Sequence, residues 1–359
     1  MKNQWGTEDL SRFTGCLLGG AVGDALGAPV EFLSMAEIRA LTGERGVTGY
    51  LPAYGRIGAI TDDTQMTMFT SEGLLRARVR GVTKGLCHPP SMVHAAYLRW
   101  LATQGETSRM ENFGSVTRME GNGWLIGVRE LWERRAPGNS CLSALRSARM
   151  GLMVEPINDS KGCGGVMRMA PVGLVAESIE EAYRLGCECA AITHGHPTGY
   201  TAAGAFAVII HCVCKGRSIG RGVEAALAEL GRDRRGKETA DALHHAVVNA
   251  EHGDGTPEHV AKLGKGWVAD EALAIGVYCA LRAEEDLGRG VLMAVNHSGD
   301  SDSTGAIAGN LLGALLGIGA VPPAWLRHLE CREAIERLAT DLHRCVEDTP
   351  AWWQAYPGA

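Results

Sequence analysis

GCLLGGAVGDALG, residues 15–27, sets Gly15, Gly19, Gly23 and Gly27 four residues apart in an apolar background. GAIAGNLLGALLG, residues 305–317, does the same with Gly305, Gly309, Gly313 and Gly317. Residues i and i+4 share one face of a helix. Each stretch therefore reads as a helix with a stripe free of side chains, bordered by leucine, alanine and isoleucine. A mid-helix glycine costs up to about 1 kcal/mol against alanine, so repeated use of it needs a reason. Close approach of two helix backbones at a crowded centre is one. A ligand that needs backbone proximity at the helix starts is another, and the two are compatible. The stripes are expected to cross in the core of an all-α protein.

The rest of the chain supports that class. Apolar residues recur at helical spacing in Met92–Leu101, Trp124–Trp132, Ile179–Ile192, Glu271–Leu281 and Arg327–Cys345. No region shows several alternating strands at even spacing, which argues against a β-sandwich. Residues 43–46, 136–139 and 252–257 read as loops. The charged stretch 231–237 reads as a surface linker inside one domain spanning 1–359, with 1–12 as an N-terminal extension and 346–359 as an aromatic tail packed on the body. The 48 glycines among 359 residues are roughly twice average usage, without a collagen period.

A net charge of −6 argues against a basic nucleic-acid-binding stripe. The eleven cysteines are spread along a long chain, which does not look like a secreted disulfide framework. Cys187-x-Cys189 and Cys212-x-Cys214 lack zinc-finger spacing and read as buried helical thiols. The N-terminus has no signal-peptide pattern. The apolar run 305–320 is interrupted by Asn310 and falls short of a membrane span. A cytoplasmic protein with no membrane partner is expected.

Two segments concentrate acid. GAITDDTQMTM, residues 58–68, holds Thr61, Asp62 and Asp63; NHSGDSDSTG, residues 296–305, holds Asp300, Asp302 and Ser303. Each sits where a helix begins. Thr61 suits an N-cap, with Asp62 and Asp63 in the first turn, where the helix dipole favours acids. The dipole accounts less well for the second segment, which runs straight into the glycine-striped helix. If the two segments meet, four carboxylates share a small volume. Each like-charge pair at about 4 Å then costs on the order of 4 kcal/mol, relieved by protonation or a cation. Carboxylates with hydroxyls are hard oxygen ligands suited to Mg2+ or Mn2+. The residues alone leave open whether the segments meet.

Five ordered motifs resemble the ADP-ribosylglycohydrolase family: GCLLGGAVGDALGAPVEF (15–32), TDDT (61–64), KGCGGVMRMAP (161–171), THGHP (193–197) and GDSDSTGAIAG (299–309). The resemblance implies a compact single-domain orthogonal bundle of many helices and a site for two divalent cations, Mg2+ or Mn2+. Thr61, Asp62 and Asp63 match its first ligand triplet, and Asp300, Asp302 and Ser303 its second, with serine where other members often carry threonine. Glu31 matches an acid that supports catalysis, beside Asp63 and Asp302, and Asp24 is expected to support the site from behind. Gly162, Cys163, Gly164 and Gly165 match a glycine-rich loop whose N–H groups approach a pyrophosphate; the alternative is a tight turn between helices. Cys163 replaces a polar residue found in other members. His194 matches a histidine lining the ADP-ribose pocket. Arg168 is expected to pair with a carboxylate, no role is assigned to His196, and Trp124 is the candidate for the adenine-stacking aromatic.

The resemblance implies removal of ADP-ribose from a modified protein, with mono-ADP-ribosyl-arginine the preferred linkage. The setting would be reversal of modification by a regulatory enzyme or a toxin, including an immunity role with a cognate ADP-ribosyltransferase toxin as partner. Alternatives are an ADP-ribosyl-serine or O-acetyl-ADP-ribose hydrolase, a two-metal phosphohydrolase, and a catalytically silent ADP-ribose- or toxin-binding protein. The loop 105–123 is the candidate for substrate selection.

Overall fold

The computed structural model describes residues 7–118, 121–283 and 285–358. Of the expected N-terminal extension, residues 1–6 lie outside the described residues. Thr7 already begins the first helix, Thr7–Gly27, so residues 7–12 are part of the bundle and not an extension. Arg12 donates to the Val213 carbonyl at 2.9 Å. Among the described residues there are eighteen α-helices and one short antiparallel hairpin, Pro52–Ala53 with Arg56–Ile57. Buried apolar side chains form one cluster running from Phe13 to Tyr356.

The two glycine stripes meet face to face. The Thr7–Gly27 helix and the Ser301–Leu316 helix lie antiparallel, with Gly15 opposite Gly313, Gly19 opposite Gly309 and Gly23 opposite Gly305. A Cβ added at Gly309 would lie 2.0 Å from the Gly19 carbonyl oxygen, and one at Gly313 would lie 1.9 Å from that of Gly15. No side chain fits at either position. The fourth rung pairs Gly27 with Ser301, not with a glycine. Gly317, expected to complete the second stripe, lies beyond the helix end with φ +76 and faces Ser11. Thus the helices run alongside each other over several turns instead of crossing at a point. Asn310, the polar break in the apolar run, donates to the Cys16 carbonyl at 2.7 Å.

This arrangement positions the acidic segments. Antiparallel packing sets the C-terminal end of the first striped helix, with Asp24 and then Glu31, beside the N-terminal end of the second, with Asp300 and Asp302. The Asp62–Lys84 helix starts at the same place. Asp24 reaches across to it and accepts from the Thr61 N–H at 3.0 Å, the Thr64 N–H at 3.2 Å and the Thr64 hydroxyl at 2.5 Å.

The helices expected within 92–101, 179–192 and 271–281 form as Pro89–Thr103, Ile179–Ala191 and Ala269–Arg282. Two others differ. Trp124–Trp132 is a pair of 3-10 turns, Leu125–Gly127 and Arg129–Trp132, separated by extended Val128. Gly127 at the junction is a poor helix former. Arg327–Cys345 is broken into Pro323–His328 and Arg332–Arg344, with Cys331 at φ +57 between them. The break turns Glu330 inward, to 2% exposure.

The tail packs as expected, with Trp352 and Tyr356 buried and the Tyr356 hydroxyl donating to Asp341 at 2.5 Å. Cys187, Cys189, Cys212 and Cys214 are buried and form no disulfide. The helix Pro197–Cys214 has the length and hydropathy of a membrane span, and 94% of it is buried inside the protein.

Candidate metal and substrate site

The two acidic segments meet. A cavity of about 370 Å3 is lined by Glu31, Asp62, Asp63, Asp300, Asp302 and Ser303 on one side and by Gly162, Cys163, Gly164 and His194 on another. One oxygen each of Glu31, Asp300 and Asp302 lie within 4.8 Å of one another. Local capping fixes most of these side chains. Thr61 is the N-cap of its helix and accepts from the Asp63 N–H at 3.3 Å. Asp62 accepts from the Gly138 N–H at 3.2 Å. Asp300 caps the second striped helix by accepting from the Ser303 N–H at 3.3 Å, and Asp302 accepts from the same N–H at 3.0 Å. Thr61 and Gly165, both expected in the site, do not line the cavity. Thr61 is fully buried behind it, and Gly165 faces the Gly199 carbonyl.

The electrostatics are those of a site short of positive charge. Burial first, and the Asp302 carboxylate second, push Glu31 up to about 10 and Asp24 up to about 7. Burial and neighbouring acids also raise Asp62, Asp63 and Asp300 well above the usual carboxylate range. Glu31 Oε2 and Asp63 Oδ2 are buried and have no hydrogen-bond partner among the described residues. Buried carboxylate oxygens without donors are costly unless a cation or a proton meets them. The donor set, carboxylates with hydroxyls and no imidazole, fits a hard divalent cation.

The glycine loop forms a 3-10 turn at Cys163–Gly165. It is tied to the neighbouring segment by Cys163 N–H to the Trp267 carbonyl at 3.2 Å and Ala269 N–H to the Lys161 carbonyl at 2.8 Å. The Cys163 thiol lies 2.7 Å from Asp300 Oδ2, so the residue that departs from the family pattern contacts the acid cluster directly. His194 packs its ring against Gly164 and shares a 2.8 Å hydrogen bond with the Thr193 hydroxyl. Burial and the nearby Arg168 charge lower it to about 3, which keeps it neutral.

Arg168 does not pair with a carboxylate among the described residues. Its guanidinium donates to the Thr193 hydroxyl at 2.5 Å and lies 4.3 Å from the centre of the Tyr97 ring. His196 caps the Pro197–Cys214 helix by accepting from the Thr198 N–H at 3.1 Å. Trp124 lines a different groove, under the Arg337 guanidinium. No described residue of the 105–123 loop lines the cavity, because that segment packs elsewhere.

Two further cavity walls come from residues to which the motifs assign no role. The Ala136–Cys141 segment forms one. The other is a stacked pair at the mouth, Phe32 and Trp267, with ring centres 5.6 Å apart. The loop at 136–139 is readable as a loop, but nothing in its composition places it at the acids.

The family model for ADP-ribosylglycohydrolases matches residues 6–351. The chain belongs to the ADP-ribosylglycohydrolase family. Its members are hydrolases acting on N-glycosidic bonds. The chain is similar to mouse ADP-ribosylhydrolase ARH3, 25% identical over 95% of this chain and 93% of that one. It is also similar to ADP-ribosylarginine hydrolase Tri1 of Pseudomonas putida, 25% identical over 93% of this chain and 78% of that one. A solved ADP-ribosylglycohydrolase-related protein complex contains a chain with a TM-score of 0.60 and 27% identity, covering 94% of this chain and 99% of that one. This ADP-ribosylglycohydrolase therefore hydrolyses ADP-ribose from modified proteins, on a fold shared with a solved neighbour.

Proposed function

We propose that the protein removes ADP-ribose from mono-ADP-ribosyl-arginine, using two Mg2+ or Mn2+ ions held by Asp62, Asp63, Asp300, Asp302 and Ser303, with Thr61 capping their helix from behind. The observation that carries the reading is the convergence of five acids on one cavity with two carboxylate oxygens left without donors. The likeness to an enzyme named for ADP-ribosylarginine supports the linkage. When bound, the cations supply Lewis-acid polarisation of ribose hydroxyls and a water of lowered pKa.

The chain's own residues do the rest. With the Gly162 and Cys163 N–H groups bonded to Ser160 and Trp267, the Gly164 N–H is the donor the turn offers a pyrophosphate, and neutral His194 walls that end of the cavity. The carboxylates stabilise positive charge that develops at the anomeric carbon as its bond to the acceptor nitrogen breaks. Asp62 and Asp302 accept from backbone donors, whereas Glu31 and Asp63 each keep an oxygen without one; Glu31, which lies outside the proposed ligand set, is assigned the proton transfer. Asp24 fixes the start of the Asp62–Lys84 helix without lining the cavity. Reversal of a regulatory or toxin-catalysed ADP-ribosylation is the setting this chemistry fits.

The test is release of ADP-ribose from two matched peptides, one modified on arginine and one on serine, in Mn2+ buffer. Faster release from the arginine peptide supports the reading. Release from the serine peptide alone overturns the linkage, and release from neither overturns the activity.

A further inference from the structure

We propose that Glu330 is a positioning residue for the first acidic segment, acting together with Arg135. It rests on the metal reading of the cavity and adds residues outside that cavity to it.

The backbone runs from the hairpin through Gly58–Ile60 into the N-cap at Thr61. Glu330 holds that approach at two points. Its N–H donates to the Gly58 carbonyl at 2.9 Å, and its Oε2 accepts from the Ile60 N–H at 3.1 Å. Its other oxygen, Oε1, accepts from Arg135 at 3.2 Å and from Arg56 at 2.7 Å. Arg135 then holds the far side of Thr61. Its carbonyl accepts from the Asp62 N–H at 3.1 Å. Three residues on, Gly138 donates to the Asp62 carboxylate at 3.2 Å. Ile60 and Asp62, the two neighbours of Thr61, therefore hang on one ion pair.

The surrounding backbone is shaped to permit this. Gly58 has φ +72, and a Cβ there would lie 2.2 Å from the His328 carbonyl oxygen. The helix break at 329–331, with Cys331 in the left-handed region, is what turns Glu330 toward Ile60. Left-handed Cys331 opposes stability, and a buried ion pair adds little net stability to offset it. Glu330 and Arg135 are 2% and 5% exposed, so neither serves as a surface charge. What the arrangement does provide is a fixed direction for the Thr61, Asp62 and Asp63 side chains. Groups that orient metal ligands in this way change affinity when altered, even without touching the ion.

The experiment is direct Mn2+ binding to the full chain, followed by the electron paramagnetic resonance signal of free Mn2+, with thermal unfolding and kcat measured alongside. The variants are Glu330→Gln, Arg135→Lys and Arg56→Ala. Glu330→Gln and Arg135→Lys are expected to weaken Mn2+ binding about tenfold or more, with kcat recovering at saturating Mn2+. Arg56→Ala removes only the half-exposed partner and is expected to bind Mn2+ as the wild type does. The proposal is overturned if Mn2+ affinity is unchanged in whichever of the first two variants folds, even when its melting temperature falls. Loss of the fold in both also overturns it, since the pair is then structural. Failure of the wild type itself to bind Mn2+ removes the metal reading, and the proposal with it.

Discussion

Gly309 faces Gly19 so closely that a Cβ on Gly309 would stand 2.0 Å from the Gly19 carbonyl oxygen. This backbone-to-backbone contact, repeated at Gly305 and Gly313, sets how the two striped helices meet and so where Asp24, Asp300 and Asp302 come together. Gly309→Ala is expected to destabilise by about 3 kcal/mol or more, because overpacking against backbone has no side chain to yield. Gly81, in the Asp62–Lys84 helix, has open space around it. Gly81→Ala is expected to stabilise by roughly 0.5–1 kcal/mol. Urea unfolding of both variants checks the contrast.

The second prediction concerns pH in protein stripped of metal. A carboxyl whose folded pKa is raised binds more protons folded than unfolded, so stability falls as pH rises between the two values. For Asp24 and Glu31 that window runs from the ordinary carboxylate range up through about 7 and about 10. His94 and His194, lowered by burial to about 4 and about 3, have the opposite sign. They lose stability only as pH falls below about 6.5, so above pH 7 the loss comes from the raised carboxyl groups, joined toward pH 9 by buried thiols such as Cys163 and Cys279, which burial raises in the same sense. In EDTA, the melting temperature is expected to fall between pH 7 and pH 9. With Mn2+ present the fall should shrink. A melting temperature that rises over that range in EDTA contradicts the account.

Asp302→Asn separates folding from function. Asp302 is the neighbouring charge that most strongly raises Glu31, Asp62, Asp63 and Asp300. Removing it is expected to raise the melting temperature of the metal-free protein at pH 8. The same change should lower ADP-ribose release by about a hundredfold or more, since ligand loss removes several kcal/mol of charge stabilisation. Calorimetry in EDTA and a release assay in Mn2+ read the two effects.

Asp24→Asn presents an amide donor where three donors already converge. One is the Thr64 hydroxyl at 2.5 Å, and the others are the N–H groups of Thr61 and Thr64. A destabilisation of about 1–3 kcal/mol is expected. Mn2+ affinity should drop with it, because the first turn carrying Asp62 and Asp63 loses its anchor. Denaturant unfolding and Mn2+ titration on one preparation test both.

The striped helices are legible in the sequence because backbone contact leaves a mark at period four. The acidic segments are legible because each adjoins a helix start, and the expected N-cap at Thr61 forms. The relative direction of the striped helices is not readable, since spacing alone fits a crossing and an antiparallel pair alike. Nor does spacing separate Gly317, a helix cap, from the three glycines it follows. Other parts of the site leave no local trace. Glu330 reads as one more charge in a helical pattern, yet its partners are Ile60 and Arg135. The Ala136–Cys141 wall and the Phe32–Trp267 pair are assembled by contacts between distant segments. Arg168 looks like half of an ion pair, but it is held by a hydroxyl and an aromatic ring.

The acids gathered at the ends of the striped helices are proposed to form a two-cation centre. Anomalous diffraction at the manganese edge, on crystals grown with Mn2+, tests it most directly. Two peaks about 3.5–4 Å apart are expected, between Asp62 and Asp63 on one side and Asp300 and Asp302 on the other. A cavity with no anomalous peak, in crystals whose solution holds saturating Mn2+, would contradict it.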